Sequence, residues 1–233
     1  GGRAPGSADG ARRAPRSADG ARRAHWREED GRTDGEMSRH VFLTGPPGIG
    51  KTTLIHKTID VLKTSGIPVD GFYTEEVRKN GRRVGFDVVT VSGKRGTLSR
   101  ISNDSGIPNS RRCEYRVGQY AVDLPSFERL VLPLLEKVND REDMEKKVYV
   151  IDEIGKMELF SEPFIQSVHQ ILDGVGATIL GTIPVSKGKP LRLVEEIRSR
   201  REVKIFNITK DNRNSIVQEI VTSVQDCRKL KGN

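Results

Sequence analysis

The sequence predicts an α/β fold: a mostly parallel sheet with helices on both faces and a β-hairpin inserted into it. Three observations carry this expectation. An apolar run, His40 to Thr44, leads into the octapeptide Gly45-Pro46-Pro47-Gly48-Ile49-Gly50-Lys51-Thr52, which opens an amphipathic stretch; this is the strand–loop–helix context of a phosphate-binding loop, G-x-x-x-x-G-K-[ST]. Short apolar runs alternate with helical periodicity at both ends of the chain beyond residue 36, the pattern of a parallel sheet covered on both faces. Two β-rich runs, 71–78 and 84–91, flank Lys79-Asn80-Gly81-Arg82, and Asn-Gly tolerates the positive φ of a tight hairpin turn.

The elements follow in order. After the loop, 52–64 places Leu54, Ile55, Ile59 and Leu62 on one helical face, and Ser65-Gly66 stops it. The hairpin comes next. Residues 92–118, rich in Gly, Ser, Asn and Arg, read as loop. Residues 124–138 have apolar residues at helical spacing, and 147–152 is a short buried strand ending in acid. Ser161 is placed to cap a helix that turns Phe164, Ile165, Val168, Ile171 and Leu172 inward. A strand over 177–183, a helix over 191–198, a strand over 203–208 and a helix from about 212 to 229 complete the chain.

Composition bounds what this chain can do. Residues 1–36 contain an imperfect repeat, APGSADGARR then APRSADGARR, with no aliphatic side chain larger than Ala, so ordering entropy goes uncompensated and a disordered tail is expected. Its Asp9, Asp19, two prolines and lack of an apolar face argue against a targeting presequence. Met37, directly before the first strand, is expected to be a natural start. The 197 residues from 37 to 233 suffice for a single α/β domain with a full core. Of the net charge of +8, +7 falls in that part; it suits polyanionic ligands, while the few aromatics, not interleaved with the basic residues, leave nucleic-acid binding unsupported. Cys113 and Cys227 and the scattered His40, His56 and His169 have no metal spacing and point to a reducing, intracellular compartment, the cytoplasm. No run approaches 18 apolar residues, so no membrane span is expected.

The chemistry is expected at two places. In the loop, backbone N–H groups and the following helix N-terminus draw phosphate; Lys51 reaches the β- and γ-phosphates of a nucleoside triphosphate, and the Thr52 hydroxyl ligates Mg²⁺. A second metal ligand should end a buried strand, and Tyr149-Val150-Ile151-Asp152-Glu153 supplies it: Asp152 for Mg²⁺, then Glu153 to orient and deprotonate a water for in-line attack. Asp152-Glu153-Ile154-Gly155 also fits the D-x-x-G switch of small GTPases. Its base-reading partner fails, because Thr209-Lys210-Asp211-Asn212 ends in an amide where guanine wants a carboxylate. Base selectivity is therefore expected to be low, with Asn212 and Arg213 touching the base loosely. Arg198, Arg200, Arg201, Lys187 and Lys189 are candidates for the positive group that transfer requires; if none reaches the site, turnover should be slow and an activating partner useful. Thr182 is a candidate to hydrogen-bond the attacking water.

These stretches resemble the thermophile ATPase/GTPase-like family of small P-loop proteins: RHVFLTGPPGIGKTTLIHK (39–57), PVDGFYTEEVR (68–78), GFDVVT (85–90), VIDEIGKMELF (150–160), ILGTIPVSKGKP (179–190) and FNITKDNRN (206–214). The resemblance implies a RecA-like core with the strand ending at Thr182 between the loop strand and the Asp152 strand. It implies Mg²⁺-dependent hydrolysis of several nucleoside triphosphates, with ATP, GTP, CTP and UTP all expected as substrates. It also assigns nucleotide binding to residues Thr44 through Thr52 and to Val148, Tyr149, Val150, Ile151, Asp152, Glu153, Ile154 and Gly155. Glu75 and Glu76, inside a matched stretch, acquire no role. Two other readings stay open: a P-loop kinase of nucleotides or small metabolites, with 92–118 as a lid, and a non-catalytic nucleotide-dependent adaptor.

Overall fold

The computed structural model describes residues 38–101, 115–137, 147–186 and 188–229. The expected tail, Met37, Cys113 and Lys187 lie outside the described residues. The elements are β1 (His40–Gly45), α1 (Lys51–Thr64), β2 (Val69–Lys79), β3 (Arg82–Thr90), β4 (Arg95–Ile101), β5 (Arg116–Val117), β6 (Tyr120–Val122), α2 (Leu124–Glu136), β7 (Val148–Ile151), α3 (Glu162–Asp173), β8 (Thr178–Pro184), α4 (Arg192–Ser199), β9 (Val203–Asn207) and α5 (Val217–Lys229). They build one nine-stranded sheet in the order β5-β6-β4-β3-β2-β7-β8-β1-β9. From β2 to β9 every pairing is parallel; from β2 outward to β5 every pairing is antiparallel. As the resemblance implied, β8 lies between β1 and β7.

Every residue of β1 is buried, as a central parallel strand covered on both faces requires. Side chains alternate across it. Phe42 joins Ile151, Ile179 and Ile183 in a core closed by Phe127 and Val131 of α2, Phe164 and Val168 of α3, and Val194 and Ile197 of α4. Val41 and Leu43 point the other way, to Val150 and Leu180, beneath Leu54 and Ile55 of α1 and Ile220 and Val224 of α5. Ser161 caps α3 as expected, accepting the Phe164 N–H at 3.2 Å, and its hydroxyl also donates to Glu128 of α2 at 2.6 Å.

Two elements differ from expectation. The stretch read as loop contains β4 and β5, and β6 follows directly after it, so the antiparallel half is larger than a single hairpin. Leu98 is buried in β4 but stands singly among polar residues, and the buried run Tyr120-Ala121-Val122 of β6 is only three residues long. The arginines of β4 are neutralised across strands: Arg95 pairs with Glu75 and Asp87, and Arg100 pairs with Asp87. The last helix starts at Val217, not at 212. Asn212 accepts the Thr209 N–H at 2.9 Å and donates to the Asn207 carbonyl at 2.9 Å, a side-chain turn that competes with helix.

The junction of the two halves positions the site. β2 pairs with β7 only as far as Phe72↔Ile151 and then runs on with β3 to Lys79. It therefore rises as a wall beyond the C-terminal edge of the parallel strands, where α/β proteins bind ligands.

Candidate active site

The loop between β1 and α1 is held from beneath. Ile208 donates to the Thr44 carbonyl at 2.7 Å, and a Cβ at Gly45 would lie 2.7 Å from the Ile208 carbonyl oxygen, so only glycine passes there. Gly50, at φ 110°, takes the left-handed turn that aims the first N–H groups of α1 into the loop. Pro46, Pro47 and Gly48 are exposed at its crest, and Ile49 anchors it in the core. Lys51 folds over the loop, donating to the Gly45 carbonyl at 2.9 Å and the Pro46 carbonyl at 3.3 Å. Burial lowers its pKa, partly opposed by the charges of Glu153 and Asp152.

Asp152 follows β7 and is 1% exposed. Its Oδ2 accepts the Thr52 hydroxyl at 2.7 Å and its Oδ1 accepts the Thr182 hydroxyl at 2.8 Å. Burial raises its pKa, against the hydrogen bonds from Thr52, Thr182 and the Thr74 backbone and the Lys51 charge. Thr182, expected to meet a water, thus has its proton on Asp152. Its oxygen accepts the Glu153 N–H at 2.9 Å, and its carbonyl accepts the Ile154 N–H at 2.9 Å.

Those two bonds hold Glu153 at φ 78°; among the described residues only Asn80, in a hairpin turn, is another non-glycine with positive φ. Such a conformation costs on the order of 1–3 kcal/mol and gathers at functional sites. The side chain is exposed to the cleft, yet surrounding protein and then the Asp152 charge raise its pKa, while Lys51 and Arg83 lower it.

Glu158 carries no motif signal and was not foreseen. It is 2% exposed, and its Oε2 accepts the Gly155 N–H at 3.1 Å. Burial and then the Glu153 charge push its carboxyl well above the ordinary range. The Gly155 N–H, which a D-x-x-G switch would turn toward a γ-phosphate, is therefore already bonded inside the protein. Val148, Tyr149, Val150 and Ile151 are wholly core; their part is to deliver Asp152 and Glu153 to the edge.

The candidate cations separate. Arg198 reaches the loop from α4, donating from Nη2 to the Thr44 hydroxyl at 2.9 Å and the Pro184 carbonyl at 2.6 Å. Arg200 lies in a carboxylate network with Glu196, Asp173 and Glu202, and Arg201 is exposed. Arg213 donates to the Ile49 carbonyl at 3.3 Å, tying the loop after β9 to the phosphate loop. The oxygens of Thr52 and Asp152 are hard donors that suit Mg²⁺. Among the described residues no group of three His, Cys, Asp or Glu gathers as a metal cage. Nor is any helix there long and apolar enough to cross a membrane.

A glycine loop opening a helix, a lysine within it, and an acid that reaches the loop's threonine from the parallel strand one beyond the loop strand's neighbour define a P-loop protein. The family model described as NTPase matches residues 40–221. The human "Cancer-related nucleoside-triphosphatase" is 64% identical over 193 residues, covering 83% of this chain and 100% of that protein. "Nucleoside-triphosphatase THEP1" of Aquifex aeolicus is 37% identical over 188 residues, covering 79% and 98%. The solution structure of the human protein superposes with a TM-score of 0.69 over 81% of this chain and 98% of that one, at 64% identity. The THEP1 crystal structure from Aquifex aeolicus superposes at 0.64 over 80% and 99%, at 34% identity. The chain belongs to this NTPase family and is an enzyme of the nucleoside-triphosphatase class.

Proposed function

We propose that the chain is a Mg²⁺-dependent phosphohydrolase that converts a nucleoside triphosphate and water to the diphosphate and phosphate, with little choice among ATP, GTP, CTP and UTP. The observation that carries this reading is the chain of hydrogen bonds Thr52–Asp152–Thr182–Glu153, which couples the phosphate loop to a strained carboxylate. Loop N–H groups bind the phosphates, and Lys51, released from its own loop carbonyls, lies along the β- and γ-phosphates. Thr52 and Asp152 would hold Mg²⁺, which when bound neutralises charge on the phosphate oxygens. Glu153 accepts a proton from the water as its oxygen bonds to the γ-phosphorus and the bridging oxygen departs with the diphosphate. A carboxylate whose pKa is raised toward neutrality is a better base than an ordinary one.

Low base selectivity follows from Asn212, whose carbonyl and amide groups are both engaged in its own turn. Slow turnover follows from Arg198 and Arg200, which are held by other groups; an arginine at the transferring phosphoryl is worth roughly 10³- to 10⁵-fold. The test is phosphate release from each of the four triphosphates with Mg²⁺ and no added acceptor. Release from all four at comparable rates is expected, and none above the protein-free rate overturns the reading.

A further inference from the structure

A cavity of ≈ 220 Å³ opens beside Glu153, and no residue of the phosphate loop lines it. One wall is the antiparallel half of the sheet, through Phe86, Leu98 and Val117; the other is Met157 with Leu191 and Val194 at the start of α4. Both Glu153 and the buried Glu158 face into it. The same carboxylate that adjoins Lys51 therefore also closes a second compartment with an apolar lining.

We propose that this cavity is a phosphoryl-acceptor site for a small, mostly apolar alcohol that carries no negative charge. The proposal rests on Glu153 being the base of the hydrolase proposed above. An apolar wall displaces water and favours a hydrocarbon or aromatic body, and a hydroxyl presented at Glu153 takes the place of the attacking water. Its oxygen bonds to the γ-phosphorus, the bond from that phosphorus to the bridging oxygen breaks, the diphosphate leaves with that oxygen, and the hydroxyl proton passes to Glu153. The products are a phosphate monoester and the nucleoside diphosphate.

The charges set the acceptor class. An acceptor phosphate is recognised by arginine forks, but carboxylates line this cavity. The neighbouring guanidinium, Arg83, is bound to Glu76 at 2.9 Å and to the Tyr120 hydroxyl at 2.9 Å. The lining cations, Lys156 and Lys189, are exposed side chains with Glu195 in the same lining. A nucleoside monophosphate is thereby disfavoured, and a neutral or amine-bearing alcohol fits.

The experiment incubates the full chain with ATP and Mg²⁺ and, separately, benzyl alcohol, 2-phenylethanol, 2-aminobenzyl alcohol and AMP. ADP is measured by chromatography, phosphate by colorimetry and any ester by phosphorus NMR. With at least one of the alcohols, ADP is expected to exceed phosphate, the difference appearing as the alcohol's monoester. Filling the cavity with Val117→Trp, or with Leu191→Trp if the first fails to fold, should abolish that excess; an excess that survives a folded filling variant overturns the site. Equal ADP and phosphate with every alcohol overturns the acceptor proposal while leaving the hydrolase standing. An ester formed from AMP alone overturns the acceptor class, and no ADP under any condition overturns both readings.

Discussion

The Thr182 hydroxyl donates to Asp152 Oδ1 at 2.8 Å, across the boundary between β8 and β7. The same oxygen accepts the Glu153 N–H, so one hydroxyl fixes both acids. Thr182→Val keeps the shape and removes this bond pair. We expect a loss of about 1–3 kcal/mol from leaving buried polar groups unpartnered, read as a lower urea midpoint, together with reduced turnover. An unchanged midpoint and turnover would show that the hydroxyl positions nothing.

Glu153→Gln retains the side chain's shape but cannot take a proton. Nucleotide binding measured by calorimetry should persist while phosphate release falls by at least about 10²-fold. Turnover that stays at the wild-type level would place the base elsewhere.

Lys51→Ala removes a cation that lies over the loop. Affinity for triphosphate should fall roughly 10- to 150-fold, the worth of one hydrogen bond to a charged group at about 1.5–3 kcal/mol. The Lys51 contacts seen here are to its own loop carbonyls, so the unliganded fold should be little affected. Equal affinity in the two proteins would discredit the loop assignment.

The acids also set a pH dependence of stability. Glu158 has its pKa raised well above 4.5 by burial and by Glu153, so between its unfolded and folded values the native state holds the extra proton. Stability from this group is full below the unfolded value and is lost as pH rises through the folded value. Glu158→Gln, an amide that never titrates, should flatten that decline in denaturant midpoints of the unliganded protein measured from acid to neutral pH. A wild-type midpoint that rises over the same window would contradict the sign. Turnover has the opposite slope on its acid limb: it should rise with pH as Glu153 ionises, at a pH above the ordinary carboxylate range because its pKa is raised.

How much of this was legible depended on whether a signal was local. The loop, β1, α1 and β7 each carry their pattern within about ten consecutive residues, through glycine spacing or hydrophobic period. Lys51, Thr52, Asp152 and Glu153 were readable for the same reason. β4 was not, since Leu98 is its lone fully buried apolar anchor and its arginines are matched by acids on other strands. Thr182 could be singled out as a strand-end residue, but its true partners lie about thirty positions back and meet it only through the β7–β8 register. Glu158 depends on a turn that brings it back to the Gly155 N–H, and nothing in residue type announces that.

The left-handed backbone at Glu153 sets folding and chemistry against each other at one position. Glycine would take that φ without strain, so Glu153→Gly should raise the thermal unfolding midpoint while abolishing phosphate release. The acid there is a poor choice for folding and, in the mechanism proposed above, the one the reaction requires. If Glu153 is the base proposed above, an enzyme hardened by choosing the more stable residue at every position would be disarmed at this one.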